Sequence, residues 1–473
     1  MTTDPNQSTG DHTGESTEDN AGTEARASVI NEGTSRRDVL KGGAVGAATA
    51  ALAGCLSFLE GADSDDGTTI DQGEVEAGLL TFTEGAAAVL GQQAQRGAEK
   101  AVEWINGAGG IAGQAEMSLE TVDEGSEPID QYNQFIDNGK DVTFGPISSG
   151  THESMFQEIE ANQVVNVGTD GTVTTLYEGE DPQYSFRFQN YDVMEVMAST
   201  REAIERIGAD NIDTVAGVNP GYSFGQDEME VFESAAEQLM GAETVYSGFP
   251  DLGAGDYASH ISSINSEEPD LVFSSLWGGD ASTFLDQAFQ RDMFDNVEAV
   301  VGPVFYGSAD AISQDVVEGV DRGTILAGSR NYYWGVPSPG TSPDSDQLFQ
   351  EATEQEGITV PTAHYMSGFG AVAAWATAVE AAIEILGEFP SQEQIAATLE
   401  GHGFYTPAGY HVMNVDHQCR SNGYAGVMEW SSDLDAPILT DVNTFAATEI
   451  SPSPTGATLS QNEQTGLDWV NSL

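Results

Sequence analysis

Basic residues are scarce in this chain. Only 14 lysine and arginine residues stand against 77 aspartate and glutamate residues, which gives a formal net charge of −63 over 473 residues. This excess would repel phosphate, so we expect no nucleic-acid partner and no charge-driven binding to an anionic membrane surface. Because 39% of the residues are hydrophobic and recur periodically after Glu76, the sequence nevertheless predicts a packed core.

The acidic composition is also typical of proteins from extreme halophiles, whose charged surfaces stay solvated in molar salt. The acidic composition therefore predicts solubility in concentrated salt and does not indicate a particular function.

Cysteine is almost absent, since only Cys55 and Cys419 occur. If Cys55 is modified, Cys419 has no partner within the chain, so a disulfide framework is excluded. Stability must therefore come from packing.

Long apolar runs are also lacking near the N-terminus, where an export signal is indicated. Arg36 and Arg37 precede a Gly- and Ala-rich segment, residues 42–54, that ends in Leu-Ala-Gly and Cys55. This segment is shorter than the ~20 residues that cross a bilayer. The stretch resembles a twin-arginine lipoprotein signal, with Val39 where the usual motif has Phe. The resemblance implies that residues 1–54 are removed and that Cys55 carries a lipid, with residues 55–75 as a flexible tether.

Strands and helices alternate from residue 77 onward. The predicted strands are 78–82, 117–122, 142–144, 164–167, 185–188, 214–218, 243–247, 270–274, 298–301 and 323–328, with 410–415 and 425–430 near the end. The predicted helices are 91–106, 128–138, 152–161, 193–207, 225–240, 256–265, 280–290, 309–318, 346–355, 364–386 and 391–400. This alternation indicates an α/β fold with two doubly wound parallel-sheet lobes joined by hinge strands.

The expected lobes are each built from two segments. Residues 76–190 plus 328–404 form lobe 1, residues 191–327 plus 405–450 form lobe 2, and residues 451–473 are a loose C-terminal tail. Hinge strands are expected near residues 189–193, 325–331 and 403–411.

Ligands of open α/β sheets bind outside the carboxyl ends of the strands. Two loops there, residues 145–150 and 168–172, offer hydroxyls, backbone N–H groups and a helix N-terminus, which suit a carboxylate. Both loops also fit ordinary turn chemistry. Aromatic residues follow further strands, as expected for the wall of a small-molecule cleft; these are Tyr222, Phe224, Trp277 and Tyr306.

Two further patterns in the sequence suggest rival functions. Residues 221–225 match G-x-S-x-G, which predicts a serine hydrolase that uses Ser223 if a later acid and histidine join it. His411, Asp416, His417 and Cys419 suggest a metal, but their spacing fits no strong zinc pattern. We expect no metal, no cofactor and no catalytic residue.

From Gly78 to about Trp430 the chain resembles the branched-chain-amino-acid type of ABC transporter substrate-binding protein, a type I periplasmic-binding-protein fold. The resemblance rests on stretches in the family's order: GQQAQRGAEKAVEWIN (91–106), GGIAG (109–113), FGPISS (144–149), YSFG (222–225), GDYA (255–258), PDLV (269–272) and LWGGD (276–280).

The resemblance implies roles for individual residues. Ser149 and Thr172 would hold a ligand carboxylate, and the Gly171 carbonyl would accept from a ligand ammonium. Phe224 and Trp277 stand where the family has tyrosines that face the ligand. Amino-acid binders place Glu for the ammonium where this chain has Val304, with Asp280 as a conceivable substitute, so amides, urea-like compounds and aromatic or short organic acids stay open beside amino acids.

The sequence thus predicts the solute-binding subunit of an importer, held by lipid to the outer face of the cell membrane. It would be a monomer that delivers a small organic solute to an ABC permease and its ATPase subunits, with its two lobes closing over the solute. A ligand-sensing receptor of the same fold without transport is the alternative.

Overall fold

The computed structural model describes residues 70–85, 87–178, 182–336, 345–452 and 465–473. These residues belong to one compact unit, residues 51–473. The export stretch with Arg36, Arg37 and Cys55 lies outside the described residues.

The first sheet has five strands in the order β2-β1-β3-β4-β5, all paired in parallel. They are β1 (Glu74–Thr81), β2 (Glu116–Asp123), β3 (Val142–Phe144), β4 (Asn166–Gly168) and β5 (Ser185–Arg187). Helices α1 (Ala88–Gly107), α2 (Pro128–Asp137) and α3 (Ser149–Asn162) connect the first four. Strand β1 is buried continuously from Ala77, because helices cover both faces of a parallel sheet and every side chain there is apolar or small.

The second sheet has seven strands in the order β15-β14-β10-β9-β8-β6-β7. Five are parallel: β6 (Thr214–Val218), β7 (Glu243–Gly248), β8 (Leu271–Phe273), β9 (Ala299–Gly302) and β10 (Ile325–Gly328). Strands β14 (Gly423–Ser431) and β15 (Ala436–Phe445) extend it in antiparallel fashion. Its helices are α4 (Asp192–Ile207), α5 (Ser223–Met240), α6 (Ala258–Glu267), α7 (Gly278–Gln290) and α8 (Gln314–Gly319).

A third group of elements packs on the first sheet. Helices α9 (Ser345–Gln355), α10 (Ala363–Leu386) and α11 (Gln392–Leu399) precede a small antiparallel sheet of β11 (Gly403–Thr406), β12 (Gly409–Met413) and β13 (Cys419–Arg420). Helix α10 is long and apolar enough to cross a membrane, but 78% of its apolar window is buried inside the fold. It is therefore a core helix of this domain.

The α/β fold with parallel sheets is confirmed, and several details differ from the sequence prediction. Residues 309–318 are not one helix, because a 3₁₀ helix (Tyr306–Ala311) precedes α8. Strand β15 was not predicted, since its alternation of buried and exposed residues is irregular.

Residues 465–473, which lie within the predicted loose tail, are also structured. Helices α12 (Ala447–Ile450) and α13 (Gly466–Val470) follow β15. Val470 is fully buried in the core that also holds Val193 and Phe232, from α4 and α5. The Gly466 N–H donates to Glu178 Oε1, so the end of the chain is tied to the loop after β4.

The chain crosses between the two large sheets three times. The first two crossings, after β5 and after β10, agree with the expected hinge positions. The third lies between β13 and β14, not at residues 403–411, because Phe404 and Met413 of the small sheet are buried in the core of the first sheet. The crossings touch one another: Ser421 Oγ donates to Asn190 Oδ1 (2.9 Å), and the Tyr424 N–H donates to the Arg330 carbonyl (2.8 Å).

Candidate functional site

A small cavity lies at the carboxyl ends of strands from both large sheets. Such strand ends, beside a switch in strand order, are where open α/β sheets bind ligands. The order of the first sheet switches between β1 and β3, and that of the second between β6 and β8. The lining residues are Leu90, Ile147, Ser148, Ser149, Asp170, Thr172, Tyr222, Phe224, Trp277, Val304, Arg330 and His364.

Ser149 is the first residue of α3 and is 3% exposed. Its Oγ accepts from the Val173 N–H (3.2 Å). Since the hydroxyl already acts as an acceptor, its own O–H is available to donate into the cavity. The first N–H groups of α3 also have no acceptor within the helix. Together they form a site for a negatively charged oxygen.

Thr172 faces this helix end from the loop after β4 and is 1% exposed. Its backbone is held because its carbonyl accepts from the Asp192 N–H (3.0 Å). Thr172 therefore lines the cavity beside Ser149, and its hydroxyl is also a hydrogen-bond partner of the Asp192 carboxyl group. The structure brings together the two residues that the sequence predicted for a carboxylate.

An aromatic wall closes the cavity on the side of the second sheet. Trp277 Nε1 donates to Tyr222 Oη (3.2 Å), and the rings of Tyr222 and Phe224 have centroids 6.1 Å apart. The buried side chains of Leu90 and Val304 join Phe224 and Trp277 in one apolar cluster. This half of the cavity suits a flat or branched apolar group.

A buried ionic cluster forms the cavity floor. Arg330 Nη1 donates to Asp170 Oδ2 (2.6 Å), and its Nε donates to Glu195 Oε2. His364 Nε2 lies 2.9 Å from the same Asp170 oxygen. Burial acts to raise the pKa of Asp170, but the charge of Arg330 and the hydrogen bond from His364 outweigh it and lower that pKa. Burial lowers the pKa of His364, which favours a neutral imidazole that donates to Asp170.

Glu124 supports the loop that carries Ser149. Its two carboxylate oxygens accept from the N–H groups of Ile147 and Ser148, each at 2.8 Å. Burial raises the pKa of Glu124 to about 8, although these two hydrogen bonds act to lower it. Glu124 thus fixes the turn between β3 and α3 without lining the cavity.

Three predicted ligand residues do not line the cavity. The Gly171 carbonyl accepts from Arg187 Nη1 (2.6 Å), so it is already satisfied within the protein. Asp280 is buried at the start of α7, and its Oδ2 accepts from the Gly253 N–H (2.7 Å). Tyr306 is fully buried in the core of the second sheet, and its Oη accepts from Trp334 Nε1 (2.8 Å).

Sequence reasoning missed the charged floor of the cavity. Asp170 lies inside a loop that was singled out, but its role depends on Arg330, 160 positions away. The one available signal was the rarity of basic residues, because a buried arginine in so acidic a chain needs a specific partner.

The rival catalytic patterns gain no support from geometry. Ser223 Oγ donates to Glu153 Oε2 (2.7 Å), and within the described residues no histidine is among its hydrogen-bond partners. His411 Nε2 lies 2.7 Å from Thr406 Oγ1, and His417 Nδ1 lies 2.9 Å from the Ser185 carbonyl. His417 is therefore a satisfied structural residue, whereas the buried Nδ1 of His411 has no hydrogen-bond partner within the described residues.

The sequence model of the periplasmic binding protein family matches residues 74–433. The chain belongs to this family. The match spans the first sheet, all of the second sheet except β15, and every element that contributes to the cavity. A model of the twin-arginine translocation pathway signal sequence matches residues 33–53, which supports an extracytoplasmic location. Family membership and fold place the chain among the binding proteins of ABC transporters and not among enzymes.

Individual relatives agree with the family. "Leu/Ile/Val-binding protein homolog 1" of Brucella melitensis is 24% identical over 342 residues, which cover 71% of this chain and 85% of the relative. A solute-binding protein of an ABC transporter from R. palustris, solved in complex with benzoate, is 18% identical with a TM-score of 0.63, covering 79% of this chain and 97% of that one. A leucine binding protein from Thermotoga maritima is 18% identical with a TM-score of 0.63, covering 78% and 98%. At these identities the structural likeness shows the fold.

Proposed function

We propose that this chain captures a small organic solute outside the cytoplasm and delivers it, unchanged, to an ABC permease and its ATPase subunits. The observation that carries the proposal is the cavity at the strand ends of both large sheets, with hydroxyls on one side and aromatic rings on the other. Membership of the periplasmic binding protein family supports the transport role.

The proposed protein is a monomer anchored by lipid at Cys55. The signal match ends at residue 53, directly before Gly54 and Cys55, as in a lipoprotein signal whose cysteine becomes the new N-terminus. Residues 55–75 would then tether the binding unit to the outer face of the membrane. Its net charge of −63 suits a surface that is solvated in molar salt, as in halophilic proteins.

Two lobes would close over the solute in this proposal. Lobe 1 comprises residues 76–190 and 328–404, and lobe 2 residues 191–327 and the C-terminal strands. Residues 405–420 are better assigned to lobe 1 than to lobe 2, because Met413 and Cys419 are buried in the core of the first sheet. Hinge motion at the three crossings would open the cavity.

The proposed solute is a carboxylate with an apolar or aromatic body and without an α-ammonium group. Ser149 and Thr172 would donate to the carboxylate, while Tyr222, Phe224 and Trp277 would contact the body. The two positions that the family would use for an ammonium offer it no partner here, because the Gly171 carbonyl is bonded to Arg187 and Val304 brings no charge. Related binding proteins of the same fold have been solved with benzoate and with 4-hydroxybenzoate.

A thermal-shift panel tests the site and the solute class together. The full chain in concentrated salt is expected to melt higher with benzoate or 4-hydroxybenzoate and to be unchanged by leucine, because ligand binding to the folded state raises stability. Benzamide should give no shift, since it has the same shape and lacks the charge. Ser149→Ala and Thr172→Ala are each expected to weaken benzoate binding by about tenfold or more, the cost of a hydrogen bond to a charged group.

Ser262→Ala is the matched control. Ser262 is exposed on α6 and lies outside the cavity, so this variant should keep the wild-type shift. Full affinity in both cavity variants would refute the proposed contacts. Turnover of an ester that disappears in Ser223→Ala would instead favour a hydrolase.

A further inference from the structure

Three buried acidic side chains lie together behind the cavity. Asp192 and Glu195 are in the first turn of α4, and Glu228 faces them from α5. One carboxylate oxygen from each residue lies within 4.8 Å of the others, and all three residues are buried. Two oxygens on opposite sides of a calcium ion are about 4.6–5.2 Å apart, since each bond is about 2.3–2.6 Å long. The spacing therefore fits a hard cation.

The second observation is that most of these oxygens lack a hydrogen bond of good geometry. Both carboxylate oxygens of Asp192 and both of Glu228 are inaccessible to solvent, and in the described part of the chain they have only weaker contacts, from the Thr172 hydroxyl to Asp192 and between Glu228 and Glu195. Each residue is 0% exposed. A buried carboxylate without partners is costly, because it loses the hydration that stabilises its charge.

Neighbouring cations do not satisfy these two groups. Arg330 donates to Asp170 and Glu195. Arg187 donates to the carbonyls of Gly171 and Val173, with its guanidinium 4.7 Å from the centre of the Tyr177 ring.

Positive charge is therefore required at Asp192 and Glu228. Burial raises the pKa of both carboxyl groups well above the ordinary range, and repulsion by Glu195 raises it further. Asp227 adds to this repulsion at Asp192. Either protons or a bound cation must compensate. A proton on Glu228 can be shared with Glu195, which leaves the other oxygens of the cluster unsatisfied, whereas a cation satisfies several oxygens at once.

We propose that Asp192, Glu195 and Glu228 form a binding site for a hard cation of the calcium class. Carboxylate oxygens are the preferred ligands of Ca²⁺, which tolerates irregular geometry, whereas Mg²⁺ demands a near-ideal octahedron. The site adjoins the cavity, because the Asp192 N–H donates to the carbonyl of Thr172. An ion there would offset the negative charge that Asp170, Asp192, Glu195 and Glu228 present to an anionic solute.

Calorimetric titration of the full chain with CaCl₂ tests this site. The chain is first treated with EDTA and dialysed into 1 M tetramethylammonium chloride, which reduces the Debye length to about 3 Å and screens the acidic surface. One saturable Ca²⁺ per chain is expected, together with a higher melting temperature in CaCl₂ than in EDTA. Asp192→Asn and Glu228→Gln are each expected to weaken Ca²⁺ binding by about tenfold or more, since affinity follows the number of charged ligands.

Glu230→Gln is the matched control, because it removes the same charge from an exposed position two residues along α5. It should bind Ca²⁺ as the wild type does. The two variants at the site replace carboxyl groups by amides of the same shape. If Asp192→Asn does not fold, Glu228→Gln by itself still tests whether the site binds Ca²⁺. A wild-type chain without saturable Ca²⁺ binding, or variants within twofold of its affinity, would overturn the proposal. The titration uses no organic solute, so its failure is separate from a failure of the proposed function.

Discussion

Among single residues, Glu124 has the clearest pH-dependent role. It holds the backbone of Ile147 and Ser148 directly before Ser149, and burial raises its pKa from the ordinary 4.5 to about 8. A carboxyl group with a raised pKa binds its proton more tightly in the folded than in the unfolded state. Its contribution to stability is therefore complete below pH 4.5 and is lost as the pH rises towards 8.

The raised pKa of Glu124 predicts that the stabilities of the wild type and Glu124→Gln depend differently on pH. Between pH 4.5 and 8 the wild type should lose stability relative to the variant, with a limiting slope of about 1.4 kcal/mol per pH unit. Urea unfolding at a series of pH values measures it. A free-energy difference that stays constant over this range, or that changes in the opposite direction, would show that burial does not raise the pKa of Glu124.

At the same scale, the sequence located some site residues and not others. Ser149, Thr172 and Trp277 were predictable because each follows a strand whose carboxyl end must face the cleft. Arg330 and His364 were not, because their common partner Asp170 is far away in the sequence and only the assembled fold brings the three together. Gly171 was assigned by resemblance, and the hydrogen bond from Arg187 to its carbonyl has no local signal.

Among elements, helices α1 and α10 cross in close contact within the first core. A Cβ atom at Gly97 would lie 1.8 Å from the Tyr365 carbonyl oxygen, and one at Gly368 would lie 1.9 Å from the Ala94 carbonyl oxygen. Both obstacles are backbone atoms, which cannot move aside as a flexible side chain can. The two helices can approach this closely only because each has glycine at the crossing.

Gly97→Ala or Gly368→Ala is therefore expected to destabilise the fold by about 3 kcal/mol, at the upper end of overpacking costs. Denaturant unfolding monitored by circular dichroism gives the change in free energy. Gly107→Ala is the control in the same helix, because nothing lies within 4 Å of its Cβ position. The control should be neutral or stabilising by up to about 1 kcal/mol. Equal effects in Gly97→Ala and Gly107→Ala would contradict the close crossing.

The parallel strands and their helices were predictable because short apolar runs alternate with helical periodicity. The antiparallel additions were harder to assign. Strand β14 was recognised, but its pairing with β10 joins residues about 100 positions apart, from Leu326 to Val427. Strand β15 has a mixture of buried and exposed residues and a register shift opposite it between Ala425 and Val427. Neither feature gives a regular period-2 pattern.

For the whole molecule, the cavity combines two independent layers of structure. Its polar side comes from loops after β3 and β4 of the first sheet, and its aromatic side from loops after β6 and β8 of the second. The three chain crossings are the covalent links between these layers. A solute that contacts both sides can bind only if the two sheets are arranged as described. Solute binding therefore tests the arrangement of the entire domain.

Equilibrium dialysis of the full chain against radiolabelled benzoate measures the proposed solute binding most directly. We expect one saturable site per chain, no competition from benzamide or leucine, and recovery of the label as unchanged benzoate. Displacement of the label by leucine would contradict the proposed solute class. Absence of saturable binding, or recovery of the label as a different molecule, would contradict capture of a carboxylate by Ser149 and Thr172.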